Sequence, residues 1–100
     1  MPNRRKHCRN MAEVRAEIDA LDRDIVALLA DRLHYIDEAA RIKKDRATVR
    51  DEARIADVLI KVEAEAQRLG ADPRVVASAY RALVEASIMH EFEKFDRLQR

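Results

Sequence analysis

One glycine and two prolines among 100 residues leave almost no material for tight hairpin turns, so a β-rich fold is excluded and an all-α chain is expected. The single cysteine, Cys8, rules out an internal disulfide and fits a reducing compartment, which makes the cytoplasm the expected location. One Cys and three scattered His offer no metal cluster. With no Trp, two Tyr and two Phe, the core must be built mainly from Leu, Ile, Val and Ala. Charge of one sign is also missing: charged residues make up 39% of the chain, yet the net charge is +1, so no nucleic-acid partner is implied. No apolar run approaches the roughly 18 residues of a membrane span. The basic opening MPNRRKHCRNM lacks the apolar segment of a secretory signal. Residues 1–11 are expected to be a disordered extension without a role, ahead of a second start at Met11; the alternative is a tail that contacts an anion or nucleic acid weakly. Residues 12–100 are expected to form one small helical domain.

What is present is helical periodicity. From about Ala12 to Lys44 there is neither Gly nor Pro, and Val14, Ile18, Leu21, Ile25, Leu28, Leu29, Ile36, Ala39 and Ile42 recur at spacings of three and four. That predicts one helix roughly 50 Å long. A single-layer core from this chain cannot cover such a stripe, so a second chain is expected on it. A second helix is predicted from about Glu52 or Ala53 to Leu69, with Ile55, Val58, Leu59, Val62, Ala66 and Leu69 on one face. Gly70 stands where a left-handed C-cap belongs, and Asp72-Pro73 supplies an N-cap and a first helical residue. The third helix carries Val75, Val76, Ala79, Leu83, Val84, Ile88, Phe92 and Phe95. The segment RATVRD, Arg46 to Asp51, joins helices one and two.

Some polar residues interrupt the apolar faces. Arg32 sits inside the stripe of helix one, and Lys43 follows it by 11 residues, which returns to the same face within about 20°. The two cations would be roughly 16 Å apart at the backbone, close enough for long side chains to converge on a small anion. The plainer reading is that both stems snorkel and their heads meet water or a carboxylate. Arg54 and Asp51 arrive from the neighbouring turn. Ser87 and Glu91 lie one turn apart on helix three beside the line of Leu83, and a carboxylate bordering an apolar face needs a cation or a proton. Arg15 lies about 42 Å before Lys43 along the same helix. It cannot join a Lys43 site within its own chain but could join one in an antiparallel dimer.

These positions resemble the all-helical chorismate mutase family over roughly Ala12 to Leu98. The pieces are VRAEIDALDRDIVALLADR, IKK, VRDEAR, LGADPRVV and EASIMHE, in that order. The resemblance implies an intertwined six-helix homodimer of three-helix chains, with two sites that each take one arginine from the other chain. Arg15 of the other chain and Arg32 would hold the two carboxylates of a dianionic substrate. Lys43 would donate to the ether oxygen whose bond to carbon breaks, with Glu91 as a second donor where bacterial members usually carry Gln and fungal ones Glu. Asp51 would sit near the substrate hydroxyl, and Arg54 and Ser87 would support the polar wall. The implied reaction, chorismate to prephenate, needs no cofactor or metal.

One position departs from the pattern. Typical mutases place a Glu after the arginine corresponding to Arg54, to hold the ring hydroxyl; here that position is Ile55. The related isochorismate pyruvate lyases, which yield salicylate and pyruvate, tend to be apolar there, whereas Asp51 and Ser87 follow the mutases. Mutases acting on amino analogues form a third branch. A non-catalytic helical dimer with a regulatory or binding role, and a plain structural bundle, are the alternatives outside enzymes.

Overall fold

A computed structural model describes residues 5–99; the first four residues of the N-terminal extension lie outside the described residues. Among the described residues the chain forms three α-helices and one short 3₁₀ turn, with no strand. The helices are α1 (Met11–Ile42), α2 (Glu52–Arg68) and α3 (Pro73–Leu98), with the 3₁₀ turn at Arg46–Thr48. The all-α expectation therefore holds. The chain divides into two compact units, Met1–Arg32 and Leu33–Arg100.

In the first unit the helix begins one residue earlier than the periodicity suggested, because Asn10 caps it. Its Oδ1 accepts from the Glu13 backbone N–H at 2.9 Å, and the Glu13 carboxylate reaches back to the Arg9 N–H at 2.8 Å. This reciprocal arrangement resembles a capping box and satisfies donors that a helix start leaves unpaired. Lys6 adds an exposed ion pair to Glu17 at 3.2 Å. Beyond the cap, several apolar residues of this unit stay open to solvent: Ile18, Ile25, Val26 and Leu28 are each about half exposed or more, Val26 reaching 63%.

The second unit contains the core. Ala40, near the end of α1, packs with Val49 of the connecting segment and with Val84, Ile88 and Phe95 of α3. Ile55, Val58 and Phe92 close around them. Each fully buried branched or aromatic side chain contributes roughly 1.5–3 kcal/mol to folding. His90 Nε2 on α3 lies 2.7 Å from Asp37 Oδ1 on α1, a polar tie beside that core.

Caps explain the remaining boundaries. Asp45 starts the 3₁₀ turn: its carboxylate accepts from Ala47 N–H at 3.0 Å, and its carbonyl accepts from the Thr48 hydroxyl at 2.6 Å. Asp51, with extended φ and ψ, caps α2 by accepting from Arg54 N–H at 3.1 Å. At the other end of α2, Ala71 N–H reaches the Ala66 carbonyl at 2.9 Å and Gly70 N–H the Gln67 carbonyl at 3.1 Å. These two bonds form a Schellman motif, and Gly70 supplies its left-handed residue with φ at 74°. Asp72 then accepts from Arg74 N–H at 2.9 Å, with Pro73 as the first residue of α3.

Candidate active site

Lys43 stands one residue beyond α1, with its backbone N–H still bonded to the Ala39 carbonyl at 2.9 Å. Its side chain crosses to α3, where Nζ lies 2.7 Å from Glu91 Oε2. The same ammonium is 3.4 Å from the carbonyl oxygen of Val49, a long contact that orients more than it binds. The Glu91 side chain is only 6% exposed. A carboxylate so deep in an apolar surround is tolerated because a cation meets it at charge-assisted hydrogen-bond distance.

Ser87, one turn before Glu91, is equally buried, and its hydroxyl donates to the Leu83 carbonyl at 2.7 Å. The i−4 bond satisfies the hydroxyl inside its own helix. Lys43, Glu91 and Ser87 therefore form one cluster of buried or half-buried polar groups built by the end of α1 and the middle of α3.

Asp51, Arg54 and Ile55 form a second group at the start of α2. Asp51 serves as the N-cap described above, and Arg54 turns its guanidinium to Asp57 at 2.6 Å on an exposed face. Asp57, bonded by both Lys61 and Arg54, is held below the usual carboxylate range. Ile55 is half-buried and packs against the core cluster. Arg15 and Arg32 belong to the first unit, Arg15 exposed and Arg32 half-buried.

Two arginines of the connecting segment were not singled out by the sequence reasoning. Arg46 forks onto Asp96, with Nε to Oδ1 at 2.9 Å, and lies over the Phe92 ring at 4.5 Å. Arg50 forks onto Glu85 with two bonds of 2.9 Å and also reaches Glu52 at 2.6 Å. One signal was available: Glu85, Phe92 and Asp96 recur at spacings of seven and four, one stripe of α3 facing two arginines four apart. Periodicity shows such a stripe but not what faces it from 35 or more residues away.

Among the described residues no three His, Cys, Asp or Glu side chains gather as metal ligands. No helix among them is long and apolar enough to cross a membrane. What the first cluster offers is a fixed ammonium beside a buried acid, suited to a developing anionic oxygen.

Residues 14–92 match the chorismate mutase type II family. That span includes Arg15, Arg32, Lys43, Asp51, Arg54, Ile55, Ser87 and Glu91. Among curated proteins, the isochorismate pyruvate lyase of Pseudomonas aeruginosa is 28% identical over 86 residues, covering 86% of this chain and 85% of the relative. The match spans most of the sequence and includes every residue that the resemblance singled out: the chain belongs to the chorismate mutase type II family.

Proposed function

We propose that the protein is a chorismate mutase that rearranges chorismate to prephenate. The observation that carries this reading is the Lys43–Glu91 pair at 2.7 Å, a cation and an acid presented together from α1 and α3. The rearrangement is pericyclic: one C–O bond breaks as one C–C bond forms, with no nucleophile and no obligatory proton transfer. Catalysis then reduces to holding a flexible dianion in its compact conformer and stabilising charge on the ether oxygen. Lys43 supplies that stabilisation, and a preorganised donor of this kind contributes about 3–4 kcal/mol. Glu91 aims the ammonium and faces the same oxygen as the second group at the breaking bond. Arg32 and the partner subunit's Arg15 take the two carboxylates, a task for which the planar guanidinium fork is suited. Asp51 sits near the substrate hydroxyl, and Arg54 and Ser87 support the polar wall. No cofactor enters this scheme.

The shared site requires a homodimer. The exposed Ile18, Ile25, Val26 and Leu28 of α1 support one, because a stripe of that length wants a second apolar face. A lone cysteine suits residence in the cytoplasm.

A second reading, isochorismate pyruvate lyase, is favoured by one position. Ile55 packs against the core at the place where mutases present a Glu to the ring hydroxyl, and the lyase of Pseudomonas aeruginosa is a relative. A hydroxyl facing Ile55 would lose a hydrogen bond. Asp51 and Ser87 favour the mutase. The deciding experiment offers the purified protein chorismate and isochorismate separately, and measures prephenate from the first and pyruvate from the second. Prephenate formation is the expected result. Pyruvate without prephenate would replace the mutase by the lyase, and neither product would leave a binding module.

A further inference from the structure

Lys43 is reached from α3 by two routes. The direct one is Glu91, 2.7 Å from the ammonium. The other starts at Glu85, six residues earlier on the same helix. Both Glu85 oxygens accept from Arg50, at 2.9 Å each, and Arg50 Nε is held by Glu52 Oε1 at 2.6 Å. Three donors of one guanidinium are thereby fixed by two carboxylates, which leaves the plane of the group little freedom to turn. The peptide preceding Arg50 carries the Val49 carbonyl, whose oxygen faces Lys43 Nζ at 3.4 Å. The Val49 side chain is buried in the core cluster, so this peptide is anchored on both sides.

We propose that Arg50 is a positioning residue: by forking onto Glu85 it fixes the Val49 carbonyl and thereby holds the Lys43 ammonium in place beside Glu91. The proposal rests on the catalytic reading above, in which the position of that ammonium determines turnover. The contacts close a ring that leaves α3 at Glu85, passes through Arg50, Val49 and Lys43, and returns to α3 at Glu91. The Arg50 pairing holds the Glu85 carboxyl below its usual range, as expected of a formed ion pair. Both side chains are substantially exposed, 40% and 55%. Exposed pairs add little to global stability, so loss of this one should disturb the segment's placement far more than the fold. Arg46 secures the earlier part of the segment on Asp96 and Phe92, so the segment stays attached when Arg50 is changed.

The test uses the full chain and two readouts. The first needs no substrate: amide exchange at Thr48 and Val49, whose N–H groups bond the Asp45 and Arg46 carbonyls at 3.0 and 3.1 Å, together with the ¹⁵N signal of the Lys43 ammonium. Arg50→Ala and Glu85→Ala should each speed exchange at Val49 by about tenfold and shift the Lys43 signal. The second readout is steady-state kinetics on chorismate, or on isochorismate if that is the substrate. Each variant should lower kcat by about tenfold and change KM less, as misplacement of a charge-stabilising group does. Arg50→Ala combined with Glu85→Ala should be no worse than either alone, because the two residues act as one unit. Arg68→Ala, which breaks the pair with Glu65 at the far end of α2, is the control and should change neither readout. Unaltered exchange and an unaltered Lys43 signal in the single variants, or multiplying losses in the double, would overturn the proposal. Absence of turnover in the unsubstituted protein would instead sink the catalytic reading, and exchange with the Lys43 signal would still decide whether Arg50 places the ammonium.

Discussion

Lys43 Nζ lies 2.7 Å from Glu91 Oε2, so the first residue beyond α1 is fastened to the middle of α3 by a single half-buried ion pair. Its acid is almost wholly enclosed and its base is 29% exposed. The cation therefore retains a path to a ligand while the acid has none of its own through solvent.

Replacing Lys43 by Met should lower kcat by about a hundredfold, the usual cost of removing one donor to a developing oxyanion. KM should move less, because the charge it meets grows mainly in the transition state. A rise in KM with kcat unchanged would make Lys43 a binding group. The same substitution strands a buried carboxylate, which should depress the melting temperature. Adding Glu91→Gln should recover much of that loss, and calorimetry on the two variants measures the coupling.

The exposed stripe of α1 should be covered by a second copy. Sedimentation at micromolar concentration should give about twice the 11.6 kDa chain mass, and the melting temperature should rise with protein concentration. Mixing inactive Arg15→Ala with inactive Lys43→Ala should restore about a quarter of the normal activity, since half of randomly paired dimers carry one intact site. A folded monomer at these concentrations, or mixtures that stay inactive, would end the shared-site proposal.

Acid should weaken the fold slightly through identifiable surface carboxylates, since exposed pairs each add little to stability. Glu85 is held low by Arg50, Glu65 by Arg68, and Asp72 by the Arg74 side chain and backbone. A carboxyl whose value is lower in the folded than in the unfolded chain contributes stability above its unfolded value, and loses it as pH falls through the folded one. The loss should start near pH 4.5, the ordinary glutamate range, and deepen below it. Thermal melts between pH 2.5 and 6 should show a shallower slope for Glu85→Gln. Added salt should flatten the slope as well, because these pairs are exposed.

Gly70 tests a backbone requirement in isolation. Its φ is +74°, and a Cβ placed on it would meet nothing within 4 Å. Gly70→Ala should therefore cost about 1–2 kcal/mol through conformation alone. Gly70→Asn should cost less, because Asn tolerates the left-handed region. Equal losses in chemical denaturation would show that the side chain, not the dihedral, matters there.

Gly70, Asp72-Pro73 and the helical spacings made the elements legible in the sequence, because caps and periodicity are local signals. The start at Asn10 was readable in principle from Asn10 and Glu13, three residues apart, as was the Asp45 turn from Asp45 and Thr48. The Lys43–Glu91 contact, between residues 48 apart, was not accessible to spacing arguments. Both residues were singled out through family resemblance and through their awkward placement beside apolar faces. Arg50 and Arg46 escaped notice because in a charge-rich segment an anchoring arginine and a solvated one look alike until the opposing helix is present.

Glu85 and Glu91 belong to one uninterrupted helix, separated by about 9 Å of rise. A rigid displacement of α3 therefore moves the two carboxylates together, and the distance between the ends of the ring on that helix stays fixed. The accuracy of their alignment depends on the stiffness of less than two helical turns. Sequence drift around the Gly70 turn can accumulate without changing the spacing of these two carboxylates.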